Sequence, residues 1–183
     1  MFVRHTSKHY SGVLIALHWL TLLLLIAVYA LIELRGIYPK GSDAYLAMKS
    51  WHFMLGLTVL ALLPIRLLAR AGGGANPPIH PPLAAAQEKL AKLVHLLLYL
   101  FLLVMPILGW MTLSAEGQVI PFFGLELPPL VAADKPLGHQ LEEIHETIGT
   151  IGYYLIGLHA AAALFHHYWT RDDTMRRMML RRN

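Results

Sequence analysis

Eleven histidines stand in this chain of 183 residues, and five of them lie inside or at the mouth of long apolar stretches: His18, His52, His95, His145 and His159. An ionisable side chain at membrane depth is costly and marks function by default. A single histidine there commonly does no more than hydrogen-bond a neighbouring helix; five in one chain point to metal chemistry. Neutral imidazole is a good axial ligand for haem iron, and one haem takes two imidazoles from facing helices.

Spacing sharpens this reading. His145 and His159 are 14 residues apart, about 21 Å along a helix rising about 1.5 Å per residue. Fourteen steps of about 100° fall roughly 40° short of four turns, so both rings share one helix face. That suits two stacked macrocycles, one near each membrane surface. Depth then assigns partners. His52, just inside Lys49, and His145, beside Glu143 and Glu146, match at the outer end. His18 lies ten residues beyond Lys8 and His159 twelve before Arg171, so these two match at the inner end. His95, three residues from Lys92, reads as shallower and stays as the alternative ligand.

Arg66 follows His52 by 14 residues on the same face. It is placed either to hold the propionate of the inner haem through a bidentate fork or to snorkel to the inner headgroups. Gly56 and Gly149, one turn beyond His52 and His145, would let a flat macrocycle approach or simply let helices pack. His166, seven residues past His159, falls near the inner interface with His167, Tyr168 and Trp169. Such residues form a membrane-belt anchor, or the histidine donates to a quinone carbonyl and passes protons, a role for which His95 is the other candidate. His5, His9, His80 and His139 fall in joints and are expected to be uninvolved.

The elements that must carry these side chains follow from composition. The chain is 56% hydrophobic and only 14% charged, with mean hydropathy +0.52; soluble domains are nearer 45–50% and about 25%. An ordinary cytosolic enzyme and a disordered chain are excluded. With no cysteine, disulfides, iron–sulfur clusters and thiolate zinc sites are excluded too. The charge of +4 and pI near 9.4 could suit a nucleic-acid binder, but the placement of the charges argues for a membrane protein and against nucleic acid.

Four apolar stretches, at about 12–34, 48–70, 89–113 and 141–169, are each long enough to cross a hydrocarbon core of roughly 30 Å. The first has too long an apolar core, and no cleavage site, for a signal peptide. Pro64 and Pro106 can kink such helices without ending them. The stretch Ala71–Pro82 and the longer Ser114–Gln140 are joints. One side of the membrane collects both termini and the second joint, with 11 of the 15 lysines and arginines, among them Arg4, Lys8, Arg66, Arg70, Lys89, Lys92, Arg171, Arg176, Arg177, Arg181 and Arg182. That bias puts both termini in the cytoplasm. The expected fold is all-α: a polytopic membrane four-helix bundle, one domain over 1–183, in the bacterial inner (plasma) membrane.

The motifs resemble those of the prokaryotic cytochrome b561 family, membrane di-haem cytochromes related to the cytochrome b subunits of nickel–iron hydrogenases. They are A-L-H-W at His18, E-L-R-G-I-Y-P at Arg35, W-H-F-M-L-G at His52, R-L-L-A-R from Arg66, H-L-L-L-Y-L from His95, and the unbroken run from His145 to Tyr168. The resemblance spans all four stretches, while the joint Ser114–Gln140 matches poorly. It implies two b-type haems held by His18 with His159 and by His52 with His145, and electron exchange with ubiquinone; its best understood bacterial member is a superoxide:ubiquinone oxidoreductase. The expected electron path runs from superoxide to outer haem, inner haem and ubiquinone, with no catalytic side chain beyond the haems' own chemistry. Arg35, Lys40 and Lys49 could steer an anionic donor on an otherwise acidic outer side. The alternatives are a membrane subunit passing electrons between a partner dehydrogenase, a redox partner protein, and the quinone pool, and a transporter or metal carrier using the histidines as a relay.

Overall fold

The computed structural model describes residues 9–72 and 77–179. Arg4, His5, Lys8, Arg181 and Arg182, which entered the charge and histidine readings, lie outside the described residues.

Four helices dominate: α1 (Gly12–Leu34), α2 (Asp43–Gly72), α3 (Ala85–Ala115) and α4 (Lys135–Phe165). Each is long and apolar enough to cross a membrane. Local chemistry starts them. Ser11 caps α1 by accepting from the Leu14 N–H at 3.3 Å, and Asp134 caps α4 by accepting from the Leu137 N–H at 3.1 Å, with Pro136 in the first turn. Within the apolar bodies, hydroxyls fold back on their own helices. Thr21, Thr58 and Thr112 donate to the carbonyls of Leu17, Met54 and Leu108 at 2.7, 2.8 and 2.9 Å, so these three hydroxyls are satisfied without water.

The order is up-down-up-down. Neighbours pack as α1 on α2, α2 on α3 and α3 on α4, whereas the backbones of α1 and α4 stay apart and meet mainly through side chains. One core cluster, Val59, Leu63, Phe101 and Leu102, fills the middle of the bundle. A second, Leu57, Leu113 and Ile120, closes one end. Leu23 and Leu68 are among the leucines left outward, as a lipid-facing surface requires.

At that closed end, within the joint after α3, a short antiparallel hairpin pairs β1 (Ile120–Phe122) with β2 (Leu125–Leu127). Positive φ at Phe123 (48°) and Gly124 (85°) makes its tight two-residue turn. The hairpin is tied down by the Trp110 indole donating to the Pro128 carbonyl at 3.0 Å and by the Leu130 N–H donating to Ser114 Oγ at 3.0 Å. This addition to the all-α bundle has a weak local signal, because its strands are three apolar-rich residues each.

The opposite end carries both ends of the described chain. After α4, a five-residue π-helical turn (His166–Thr170) and a left-handed Arg171 (φ 55°) reverse the chain. The following segment then clasps the bundle. The Tyr10 N–H donates to the Arg177 carbonyl at 3.3 Å, Asp173 exchanges hydrogen bonds with the His80 backbone, and the Trp19 indole donates to the Met178 carbonyl at 2.8 Å. The buried Arg177 guanidinium donates to the Pro77 carbonyl and lies over the Tyr10 ring. His80 thus takes part in this clasp, although its place in a joint suggested no role.

Candidate cofactor sites

Two histidine pairs face each other across the bundle. Near the hairpin end the rings of His52 (α2) and His145 (α4) have centroids 6.3 Å apart; near the terminal end those of His18 (α1) and His159 (α4) are 6.2 Å apart. One metal with an imidazole nitrogen about 2.0 Å away on each side, as first-row metal–imidazole bonds run, separates two ring centroids by roughly 6.3 Å. Both pairs meet that spacing, and all four side chains are half-buried. The donor set therefore fits two six-coordinate haem irons.

Each ring's surroundings decide which nitrogen is free. His52 Nδ1 lies 2.9 Å from the Val28 carbonyl. A carbonyl only accepts, so Nδ1 carries the hydrogen and Nε2 keeps its lone pair for a metal. His145 Nδ1 is buried and lacks a hydrogen bond among the described residues, although the ring faces the Met105 backbone. Its position depends on Gly109: a Cβ there would come within 3.2 Å of His145 Cε1. Gly109 was not among the glycines singled out in the sequence. Gly56 has open space where a Cβ would be and lines the same cleft as His52, Phe53, Leu57 and Trp110. At Gly149 a Cβ would make ordinary contact with Met105 at 3.5 Å, so that glycine serves helix packing.

At the terminal end the arrangement is more crowded. Arg66 does reach this site, with Nη2 3.2 Å from His18 Nδ1, and its guanidinium also lies over the Tyr99 ring at 5.7 Å. His95 comes closer to His159 than depth suggested, with centroids 5.3 Å apart. Helix α3 begins at Ala85, so His95 is ten residues into it. Yet 5.3 Å is short for two rings sharing one metal, and the His95 side chain is exposed where the other four are half-buried. Among the described residues no group of three or more carboxylate or imidazole side chains is gathered to chelate a bare ion.

His166 sits beyond this pair, in the π-helical turn. Its Nδ1 is 2.5 Å from Asp172 Oδ2, and Thr170 Oγ1 donates to the same oxygen at 3.1 Å. Burial pushes the Asp172 carboxyl up, but hydrogen bonds from Thr174, His166 and Thr170 outweigh it and hold the group below its ordinary value. His166 itself keeps the α-helical bond from its N–H to the Ala162 carbonyl, and its ring is held by Asp172 of the clasp. His139 lies apart, in a surface pocket with Glu116, Gln118 and Lys135.

A family model described as prokaryotic cytochrome b561 matches residues 9–180. The chain belongs to the prokaryotic cytochrome b561 family. It is 42% identical over 175 residues to "Cytochrome b561 homolog 1" of Escherichia coli (strain K12), covering 96% of this chain and 99% of that protein. It is 38% identical over 172 residues to "Probable superoxide oxidase CybB" of Yersinia pestis, covering 94% and 96%. A second Escherichia coli protein, "Cytochrome b561 homolog 2", is 29% identical over 184 residues. The four apolar helices and this membership make the chain a bacterial membrane cytochrome of b type that takes part in electron transfer.

Proposed function

We propose that this cytochrome b561 holds two haems, by His52 with His145 and by His18 with His159, and oxidises superoxide on the periplasmic side while reducing ubiquinone at the cytoplasmic side of the inner membrane. The hairpin end is then periplasmic, and the terminal end, with its excess of arginine and lysine, cytoplasmic. The observation that carries this reading is the pair of ring separations, 6.3 and 6.2 Å. When bound, the haems supply one-electron transfer at potentials set by their axial ligands and surroundings.

The chain's own residues do the rest. Lys49 lies over the Phe53 ring at 5.8 Å, and Phe53 lines the cleft of His52 and His145. A positive charge at that mouth favours the approach of a small anion. Arg66 supplies a cation between the helices near His18, free to turn from the ring onto a propionate. Asp172 holds the Nδ1 hydrogen of His166, so a proton taken up at Nε2 lets the ring donate to a quinone carbonyl and pass that proton on. The balance is two superoxide anions oxidised to two dioxygen molecules, while one ubiquinone takes two electrons and two protons to become ubiquinol. The name of the Yersinia pestis relative supports superoxide as donor.

Purified protein mixed with superoxide, with absorbance followed in the haem bands, tests this. Reduction by superoxide alone, followed by reoxidation on adding a soluble ubiquinone, is expected. Haems that stay oxidised in superoxide yet are reduced by a chemical reductant would favour a subunit fed by a partner dehydrogenase.

A further inference from the structure

Gly152 stands halfway between His145 and His159, seven residues from each, and therefore on the same face of α4. It is buried, and a Cβ built on it would meet three atoms at 2.5 Å: Cε2 and Cζ of Phe101 from α3 and Oη of Tyr29 from α1. A methyl group cannot occupy that space unless both aromatic side chains move. Tyr29 is pinned there, since its hydroxyl donates to the Gly149 carbonyl at 2.7 Å and its ring lies against Tyr153 with centroids 4.2 Å apart. Phe101 is fixed by burial in the central cluster with Val59, Leu63 and Leu102. Two aromatic side chains from different helices thus converge on the one position of α4 that is equidistant from its two inward imidazoles.

Resting on the two-haem reading above, we propose that Tyr29 and Phe101, seated on Gly152, form an aromatic partition between the two haem positions that sets the separation of the macrocycles and carries the electron between them. An electron crossing between two cofactors decays steeply with the gap it must traverse, so packed ring atoms in the middle of the bundle serve better than a void or a mobile aliphatic chain. The partition also excludes water, which keeps the local dielectric low and strengthens the influence of each haem's charge on the other. Gly152 is the position that permits it. The hydrogen bond from Tyr29 to the α4 backbone fixes the rings across a gap that the backbones of α1 and α4 leave open.

The test is haem content, a spectroscopic redox titration and the rate at which the second haem follows the first, measured on intact wild-type protein and on Gly152→Ala, Phe101→Leu and Gly157→Ala. Gly157 has nothing within 4 Å of a built Cβ and is the control. The inference expects all four proteins to carry two haems. In Gly152→Ala the separation of the two midpoint potentials should shift and transfer between haems slow several-fold; in Phe101→Leu the transfer should slow with smaller shifts in potential; Gly157→Ala should match wild type. Should Gly152→Ala fail to assemble, Phe101→Leu decides alone, because it removes the ring without crowding the helix. Two haems with wild-type separation and wild-type transfer in Phe101→Leu would overturn the partition. A wild type holding fewer than two haems would instead overturn the reading on which it rests.

Discussion

Arg66 on α2 and His18 on α1 meet with the guanidinium nitrogen 3.2 Å from Nδ1 of the ring. Arginine has no acceptor, so it donates and His18 Nδ1 accepts, which puts the ring hydrogen on Nε2. Iron ligation through Nε2 requires the opposite tautomer, so Arg66 must turn away from His18 when a haem is seated. A nearby carboxylate is the natural destination for a freed guanidinium. Arg66→Leu is expected to weaken haem retention at the terminal end by about 2 kcal/mol, the worth of a charge-assisted hydrogen bond, with Arg66→Lys in between. Haem transfer to apomyoglobin measures it; equal loss rates in all three proteins would contradict the assignment.

Gly109 leaves room for the His145 ring, and a methyl there would stand 3.2 Å from Cε1. Gly109→Ala is expected to tilt the imidazole and change the spectrum of the haem held with His52, while Gly109→Leu should abolish that haem and spare the other. Haem quantitation with low-temperature spectra checks both.

The clasp at the terminal end hangs on Asp172, whose carboxyl is held below its ordinary value despite its burial, through hydrogen bonds from Thr174, His166 and Thr170. A depressed carboxyl contributes stability that is complete above the unfolded pKa, about 3.9, and is lost as the pH falls through the folded value. Tryptic cleavage at Arg176 should therefore be slow and flat with pH in the protease's neutral range. Fluorescence of Trp19, whose indole donates to the Met178 carbonyl, should change only on acidification below about pH 4. Asp172→Asn keeps the shape but loses the charge and one acceptor, a cost of about 1–3 kcal/mol, and should speed tryptic cleavage at neutral pH.

If His166 works through Asp172, the same Asp172→Asn variant should keep two haems and normal reduction by the donor, yet reoxidise more slowly with ubiquinone. The steady-state KM for a soluble quinone, set against haem content, separates this from a structural loss.

Much of this design can be read from residue order. Long apolar runs, broken only by a few charges such as Arg66 and Glu146, give the helices, and the interval from His145 to His159 gives two heights on one face without any structure. What resisted reading has physical causes. The hairpin is three residues to a strand and turns at Phe123–Gly124, which lacks the usual asparagine or aspartate signal. The clasp is built from contacts between residues far apart in the chain, such as Arg177 with Pro77, 100 positions away, which no local pattern encodes. His95 reads as shallow from its nearness to Lys92, while its 5.3 Å approach to His159 is a contact between helices that sequence spacing does not encode. Gly109 and Gly152 matter for what lies opposite them on other helices, and that is invisible along one chain.

The measurement closest to the centre of the account is haem per polypeptide in detergent-purified wild type and in His18→Ala, His52→Ala, His95→Ala, His145→Ala and His159→Ala. The account predicts two haems in wild type and in His95→Ala, and one in each of the other four. Two haems in His18→Ala with one in His95→Ala would contradict the pairing of His18 with His159, and a colourless wild type would contradict the whole.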